Sequence, residues 1–138
     1  MNDNFFKIRE FCIEPGPIPI DIAQKIVDYH IKPMNFVRYE LGRPIIVSDR
    51  SGFRPKLYEV NKGRSGRSQH CFEGNGAADY TCSGDINELL ELIMKETQYT
   101  RVCYYKEENF IHCDYGIIDG DRRQLFIDHN GWEFVKFF

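Results

Sequence analysis

The chain has 138 residues, with 18 Lys and Arg against 21 Asp and Glu, a net charge of −3 and 42% hydrophobic residues. That is enough apolar material for one buried core and excludes a disordered chain; the slight excess of acid excludes a general nucleic-acid binder, whose affinity comes from clustered Lys and Arg. No apolar run approaches the roughly 20 residues needed to cross a bilayer, and the start MNDNFFKIREF lacks a basic segment followed by an apolar one, so the expectations are synthesis in a cytoplasm, no membrane insertion and a monomer.

In chain order, residues 1–20 read as an extended lead-in: an apolar-rich stretch, Phe5 to Ile13, and then the breaker run Glu14-Pro15-Gly16-Pro17-Ile18-Pro19. Asp21 is the predicted N-cap of a long helix whose apolar positions Ile22, Ile26, Tyr29, Pro33, Val37 and Leu41 keep helical spacing and which Gly42 ends. Pro33 is expected to kink or split it. Pro44 to Ser48 reads as a short, fully buried strand. Residues 49–75 are rich in Gly and polar side chains; so long a loop in a small domain points to function or to disorder. Its Lys56, Lys62, Arg64 and Arg67 either steer an anionic polymer or are simply solvated.

Ala77 to Cys82 resembles a strand, and Asp85 caps a patterned helix with Ile86, Leu89, Leu90 and Ile93 on its apolar side. Four short runs rich in aromatic and β-branched residues follow: Arg101–Tyr105, Phe110–Tyr115, Arg123–Asp128 and Trp132–Phe138. The turn signals Asp119-Gly120-Asp121 and Asn130-Gly131 favour an antiparallel meander. The fold class is therefore α+β: one domain over 1–138, with a long N-terminal helix and a second helix packed on an antiparallel sheet. The last strand alternates like an edge strand, with Phe137 and Phe138 expected to pack in the core or, if exposed, to meet a partner.

Five cysteines without CxxC pairing read as reduced, partly buried thiols. Cys71 and Cys113 each adjoin a histidine, but neighbours on an extended strand point to opposite faces, so only one of each pair can face a given ion. Of the histidines, His30 reads as a packing or surface residue in the first helix and His129 as a solvent-facing turn residue. His70 closes the glycine-rich loop, Asp79 follows on the next strand, and His112 lies in Phe110-Ile111-His112-Cys113-Asp114-Tyr115. Period two puts His112 and Asp114 on one face and Ile111, Cys113 and Tyr115 on the core face. Two imidazoles and a carboxylate, with a fourth position left to water, make a catalytic zinc set. On spacing alone the simpler account is that His70 caps a loop and His112 bonds a neighbouring strand.

The segments Ser51-Gly52-Phe53-Arg54-Pro55, Ser68-Gln69-His70, Gly76-Ala77-Ala78-Asp79 and Phe110-Ile111-His112, in this order, resemble the zinc D-Ala-D-Ala carboxypeptidases and related peptidoglycan peptidases, which share the hedgehog-type fold. The resemblance extends upstream through Phe5–Phe11 and Gly42-Arg43-Pro44-Ile45-Ile46-Val47, and covers about 4–116. It implies one zinc ion on His70, Asp79 and His112, Arg54 as the catalytic arginine that contacts the substrate carbonyl or carboxylate, and Ser68 as a loop- or substrate-orienting residue. It also implies a metallopeptidase, a carboxypeptidase or endopeptidase of peptidoglycan peptide stems, of a kind often encoded by phages as an endolysin. Such a protein acts on the wall after lysis or export, or as part of a virion.

Relative to that pattern, 71–75 holds a short insertion, and Asn109 stands where many relatives carry the general-base carboxylate three residues before the last ligand. An amide cannot take up a proton near neutral pH. The carboxylates nearest in sequence are Glu108, Asp114 and, on the insertion, Glu73. Each is a candidate base or supporting group, and for each alone the simpler reading is a solvated surface acid. The alternative to a peptidase is a catalytically impaired zinc domain that binds cell-wall peptide or a protein partner.

Overall fold

Two stretches with helical apolar spacing build one layer of the protein. The computed structural model describes residues 5–13, 17–48, 52–55, 62–63, 68–117, 120 and 122–138. Glu14, Pro15 and Gly16 of the breaker run, Ser51 of the arginine-bearing segment, Lys56, Arg64 and Arg67 of the basic loop, and Asp119 and Asp121 of the turn signal lie outside the described residues. The first helix, α1 (Ile20–Ile26), runs through a π-helical turn, Val27–Ile31, directly into α2 (Lys32–Leu41). Pro33 therefore falls in the first turn of α2, where its missing N–H is tolerated, and the chain accommodates it by a wider turn instead of a break. Tyr29, whose carbonyl lies four residues before Pro33, accepts a hydrogen bond from the Tyr115 hydroxyl at 2.6 Å. Pro19, not Asp21, occupies the cap position, with Asp21 inside the first turn. Gly42 ends the helix in the left-handed conformation, as expected.

The third helix, α3 (Ile86–Glu96), begins at Asp85, whose Oδ1 accepts from the Asn87 N–H at 2.9 Å. It buries Ile86, Leu89, Leu90, Ile93 and Met94 and packs on α2.

The other layer is a six-stranded sheet of β1 (Ile45–Val47), β2 (Ala77–Cys82), β3 (Arg101–Tyr105), β4 (Phe110–Asp114), β5 (Gln124–Asp128) and β6 (Trp132–Phe137), in the order β1-β2-β4-β3-β5-β6. The expected all-antiparallel meander is corrected at one place: β5 lies parallel to β3. Because β4 turns back from β3 and pairs with β2, the outer edge of β3 stays open, and β5 adds there. The chain returns to the start of β3, where Arg123 Nε donates to the Tyr99 carbonyl at 2.6 Å and Gln124 N–H to the Thr100 carbonyl at 2.9 Å. β1 is not fully buried either. It pairs only with β2, so Ile45 faces the core while Ile46 is 56% exposed. At the opposite edge the core-packing expectation for the last strand fails: Phe134, Val135 and Phe137 are exposed, and only Phe138 tucks against the core.

Period-two alternation gives the sheet two unlike faces. Ala78, Tyr80, Val102, Ile111, Cys113 and Leu125 are buried with the helices; Asp79, His112 and Asp114 point the other way. All five cysteines are free, four of them buried, and His129 is exposed. His30 is not a surface residue. It is fully buried, with Nε2 2.8 Å from the Asn75 carbonyl and Nδ1 2.8 Å from the Tyr99 hydroxyl, which is itself 2.6 Å from Tyr80 Oη. A carbonyl only accepts, so Nε2 carries the proton, Nδ1 accepts from Tyr99, and Tyr99 accepts from Tyr80.

Burial pushes the His30 pKa down to about 4, against the opposing pull of its bond to Asn75. A folded-state value below the unfolded one near 6.5 means that the unfolded chain binds the extra proton. The contribution of His30 to stability is thus fully present above pH 6.5 and is lost as the pH falls towards 4, by up to about 1.4 kcal/mol per pH unit. An NMR titration of the histidine rings is expected to find His30 still neutral at pH 5.5; a midpoint near 6.5 would contradict this burial.

Candidate metal centre and cleft

The centre is built where two strands of opposite direction present their outward residues to each other. In β2 the inward residues Ala78 and Tyr80 leave Asp79 on the outer face, and in β4 Ile111 and Cys113 leave His112 and Asp114 there. The β2–β4 register places Asp79 opposite His112, and His112 Nδ1 lies 2.8 Å from Asp79 Oδ1. The third member arrives from the loop. Ser68 caps a single 3₁₀ turn, Gln69–Cys71, its Oγ accepting from the His70 N–H at 3.2 Å. The turn carries His70 over Asp79, with Nε2 3.6 Å from Oδ1. One ligand atom from each of His70, Asp79 and His112 falls within 4.8 Å of the other two, and all three residues are buried. The short insertion after His70 is accommodated with Glu73 and Gly74 exposed.

Both imidazoles are held by the nitrogen that faces away from the cluster. His70 Nδ1 donates to the Gly52 carbonyl at 2.9 Å, which leaves Nε2 with its lone pair towards Asp79. That carbonyl is fixed by the lead-in: Gly52 has φ 75, and a Cβ there would stand 2.1 Å from the Phe11 carbonyl oxygen, so no other residue fits without displacing it. His112 Nε2 bonds Asp114 Oδ2 at 2.8 Å. Asp114 is in turn gripped by Arg101 from the adjacent strand, Nε to Oδ1 at 2.9 Å and Nη2 to Oδ2 at 2.7 Å, and by the Gly116 N–H at 2.8 Å. A Cβ on Gly116 would meet the Arg101 guanidinium at 2.4 Å.

The electrostatics follow from this wiring. Burial lowers His70 to about 4, with Asp79 opposing and His112 and Arg54 adding to the shift, so this imidazole is neutral at pH 7 as a ligand must be. Burial alone would lower His112 as well, but the Asp114 and Asp79 carboxylates outweigh it and raise it to about 9. The proton on Nδ1 thus holds the position that a cation takes. Burial would raise Asp79 and Asp114; hydrogen bonds and charges from His112, and for Asp114 from Arg101, prevail and lower both, Asp114 to about 2. Two imidazoles, each held at the nitrogen facing away from the cluster, and one carboxylate, with no thiolate among them, fit zinc, which displaces the His112 Nδ1 proton on binding and takes such donors at about 2.0–2.2 Å.

The cluster lies in an open cleft of about 410 Å³. Of the residues singled out from sequence, Arg54, Ser68, His70, Asp79, His112 and Asp114 line it. Arg54 is half-buried, and its backbone N–H donates to the His70 carbonyl at 2.7 Å. The structure does not bring Glu108 in: it sits on the exposed Lys106–Asn109 turn, away from the lining. Asn109, on the same turn, has φ 60, donates its N–H to Tyr105 and accepts from Thr81 Oγ1 through its own carbonyl. Asp114 lies in the cleft but is committed to Arg101, His112 and Gly116.

Four contributors escaped the sequence reading: the Gly52 carbonyl, Arg101, Tyr105 and Trp132. Period two in Arg101–Tyr105 does place Arg101 and Tyr105 on one face, but only the pairing with β4 shows Arg101 opposite Asp114. Trp132 arrives from a distant strand, donating Nε1–H to Tyr105 Oη at 2.8 Å with its ring 5.4 Å from that of His112; no local pattern marks it.

A family model described as Peptidase M15 matches residues 6–114. No curated protein and no solved structure matches the chain.

His70→Ala, Asp79→Ala and His112→Ala are each expected to lose stoichiometric zinc after dialysis, read by elemental analysis. Asp114→Asn keeps the three donors but loses the charge that holds the His112 ring, and zinc affinity is expected to drop about 10–100-fold. Unchanged affinity in that variant would remove Asp114 from the centre.

Proposed function

Because the chain belongs to the peptidase M15 family, whose members are zinc peptidases, we propose that it hydrolyses peptide bonds in bacterial peptidoglycan as a D-Ala-type carboxypeptidase or endopeptidase. The observation that carries this reading is the cluster of His70, Asp79 and His112, with both remote imidazole nitrogens held, at the floor of a cleft that also contains Arg54. Zinc, when bound by these residues, supplies Lewis-acid polarisation of a carbonyl and acidification of water.

The remaining work falls to side chains of the protein. Arg54 offers a planar, permanently charged fork to a carboxylate or carbonyl of the peptide stem. Ser68 keeps the turn that carries His70, and Arg101 with Asp114 keeps the His112 ring in place. Tyr105 accepts from Trp132, which leaves its own O–H for an acceptor in the cleft. Burial raises the Tyr105 pKa, so the phenol stays a donor at neutral pH. A phage lysin released at lysis and a virion-borne enzyme both fit such a substrate.

Asn109 favours a second reading, a catalytically impaired zinc domain that holds cell-wall peptide or a protein partner. Among the described residues, the carboxylates lining the cleft are Asp79 and Asp114, both already engaged. Loss of a general base slows such reactions by about 10²–10⁴, so a slow enzyme remains compatible with the peptidase reading.

The test is mass spectrometry of fragments released from purified peptidoglycan by zinc-loaded protein, beside a chelated sample and an Arg54→Ala variant. Slow release that needs the metal and drops by about tenfold or more in Arg54→Ala is expected. Wall binding without release, from protein of full zinc content, would establish the second reading instead.

A further inference from the structure

The outer face of the sheet continues past the metal ligands. Asp79, His112, Cys103, Phe126 and Phe134 are successive register partners across β2, β4, β3, β5 and β6, so one row of outward positions leads from the cluster to the β6 edge. Beyond Cys103 the row is aromatic. Trp132 lies 5.0 Å from Phe126, Phe126 6.0 Å from Phe134, and Phe134 4.8 Å from Phe137. Phe134 is 50% and Phe137 39% exposed. The family match ends at Asp114, so both strands that carry the aromatics lie outside it.

We propose that Trp132, Phe126, Phe134 and Phe137 form a saccharide subsite, which carries the glycan strand of the substrate while its peptide stem occupies the cleft. This rests on the peptidoglycan reading above.

Three observations select a sugar. The outer rings Phe134 and Phe137 are exposed, and a pyranose ring lays its axial C–H groups on the face of an exposed aromatic ring. Polar groups flank the rings where equatorial hydroxyls need partners: Gln124 and Asp128 are two residues either side of Phe126 on the same face, and the Arg122 guanidinium stands 3.9 Å over Phe137. The distance also fits. Phe126 is two strands from His112, about 10 Å at about 4.8 Å per strand, and stem residues span at most about 3.6 Å each, so about three of them join a bond at the metal to a sugar on Phe126. Trp132 joins the two regions, since it lines the cleft and its ring stands 5.0 Å from that of Phe126.

The probe is a peptide-free glycan strand of alternating N-acetylglucosamine and N-acetylmuramic acid, titrated into zinc-loaded protein while the fluorescence of Trp132, the one tryptophan of the chain, is recorded. A saturable change is expected, weakened about tenfold or more in Phe134→Ser and restored in Phe134→Tyr, with zinc content and unfolding midpoint reporting that the variants are folded. No change on titration, or binding that Phe134→Ser and Phe137→Ser leave intact, overturns the proposal. So does sedimentation showing a dimer that Phe134→Ser dissociates, since the face would then be occupied by a second copy. Fragment release from whole peptidoglycan is scored separately: glycan binding without release counts against the peptidase reading alone, and release without glycan binding counts against the subsite alone.

Discussion

The pairing of β2 with β4, in the register that sets Asp79 opposite His112, is the constraint on which the site depends. It is held from behind. Ala78 and Tyr80 on one strand, and Ile111 and Cys113 on the other, are fully buried against the helical layer. A slip of one residue would turn every side chain of the moving strand over. It would expose groups whose burial is worth roughly 1.5–3 kcal/mol each for the larger ones and drive Asp79, or His112 and Asp114, into apolar surroundings at several kcal/mol per unpaired charge. Packing on one face thereby fixes the chemistry on the other.

Burying two carboxylates and two imidazoles is affordable because their polar atoms are matched in a chain. Arg101 grips Asp114, Asp114 holds His112, His112 meets Asp79, Asp79 faces His70, and His70 rests on the Gly52 carbonyl. The same bonds that offset desolvation also fix which nitrogen of each ring faces the cluster, so stability and ligand geometry are one network. Two glycines close off this network: Phe11 in the lead-in leaves room only for glycine at position 52, and Gly116 after β4 leaves room for the Arg101 guanidinium. These two glycines have no side chain, yet the orientation of both histidines passes through their backbone groups.

Local patterns made much of this legible. Period two separated His112 and Asp114 from the core residues of β4, capping at Asp85 located α3, and the ordered segments around Arg54, His70, Asp79 and His112 suggested the family. What stayed hidden depends on which elements meet. Alternation cannot name a strand's neighbour, so the parallel β3–β5 pair and the grip of Arg101 on Asp114 were beyond it. An apolar run such as Ile45–Val47 reads the same at a sheet edge as at its centre, and Ile46 proved exposed. Pro33 announced an irregularity but not the π turn that absorbs it. His30 gave no sign of its bonds to Tyr99 and Asn75, both remote in sequence. Glu108 looked available because proximity to His112 along the chain says nothing about a turn that carries it outward.

The central claim is that one ion is held by His70 Nε2, Asp79 and His112 Nδ1, with no contribution from the cysteines adjoining the two histidines. X-ray absorption spectroscopy of zinc-loaded protein addresses it most directly. The account predicts a four-coordinate shell of nitrogen and oxygen at about 2.0–2.1 Å with the outer-shell scattering of two imidazoles. A sulfur shell near 2.3 Å, or scattering from fewer than two imidazoles, would contradict it.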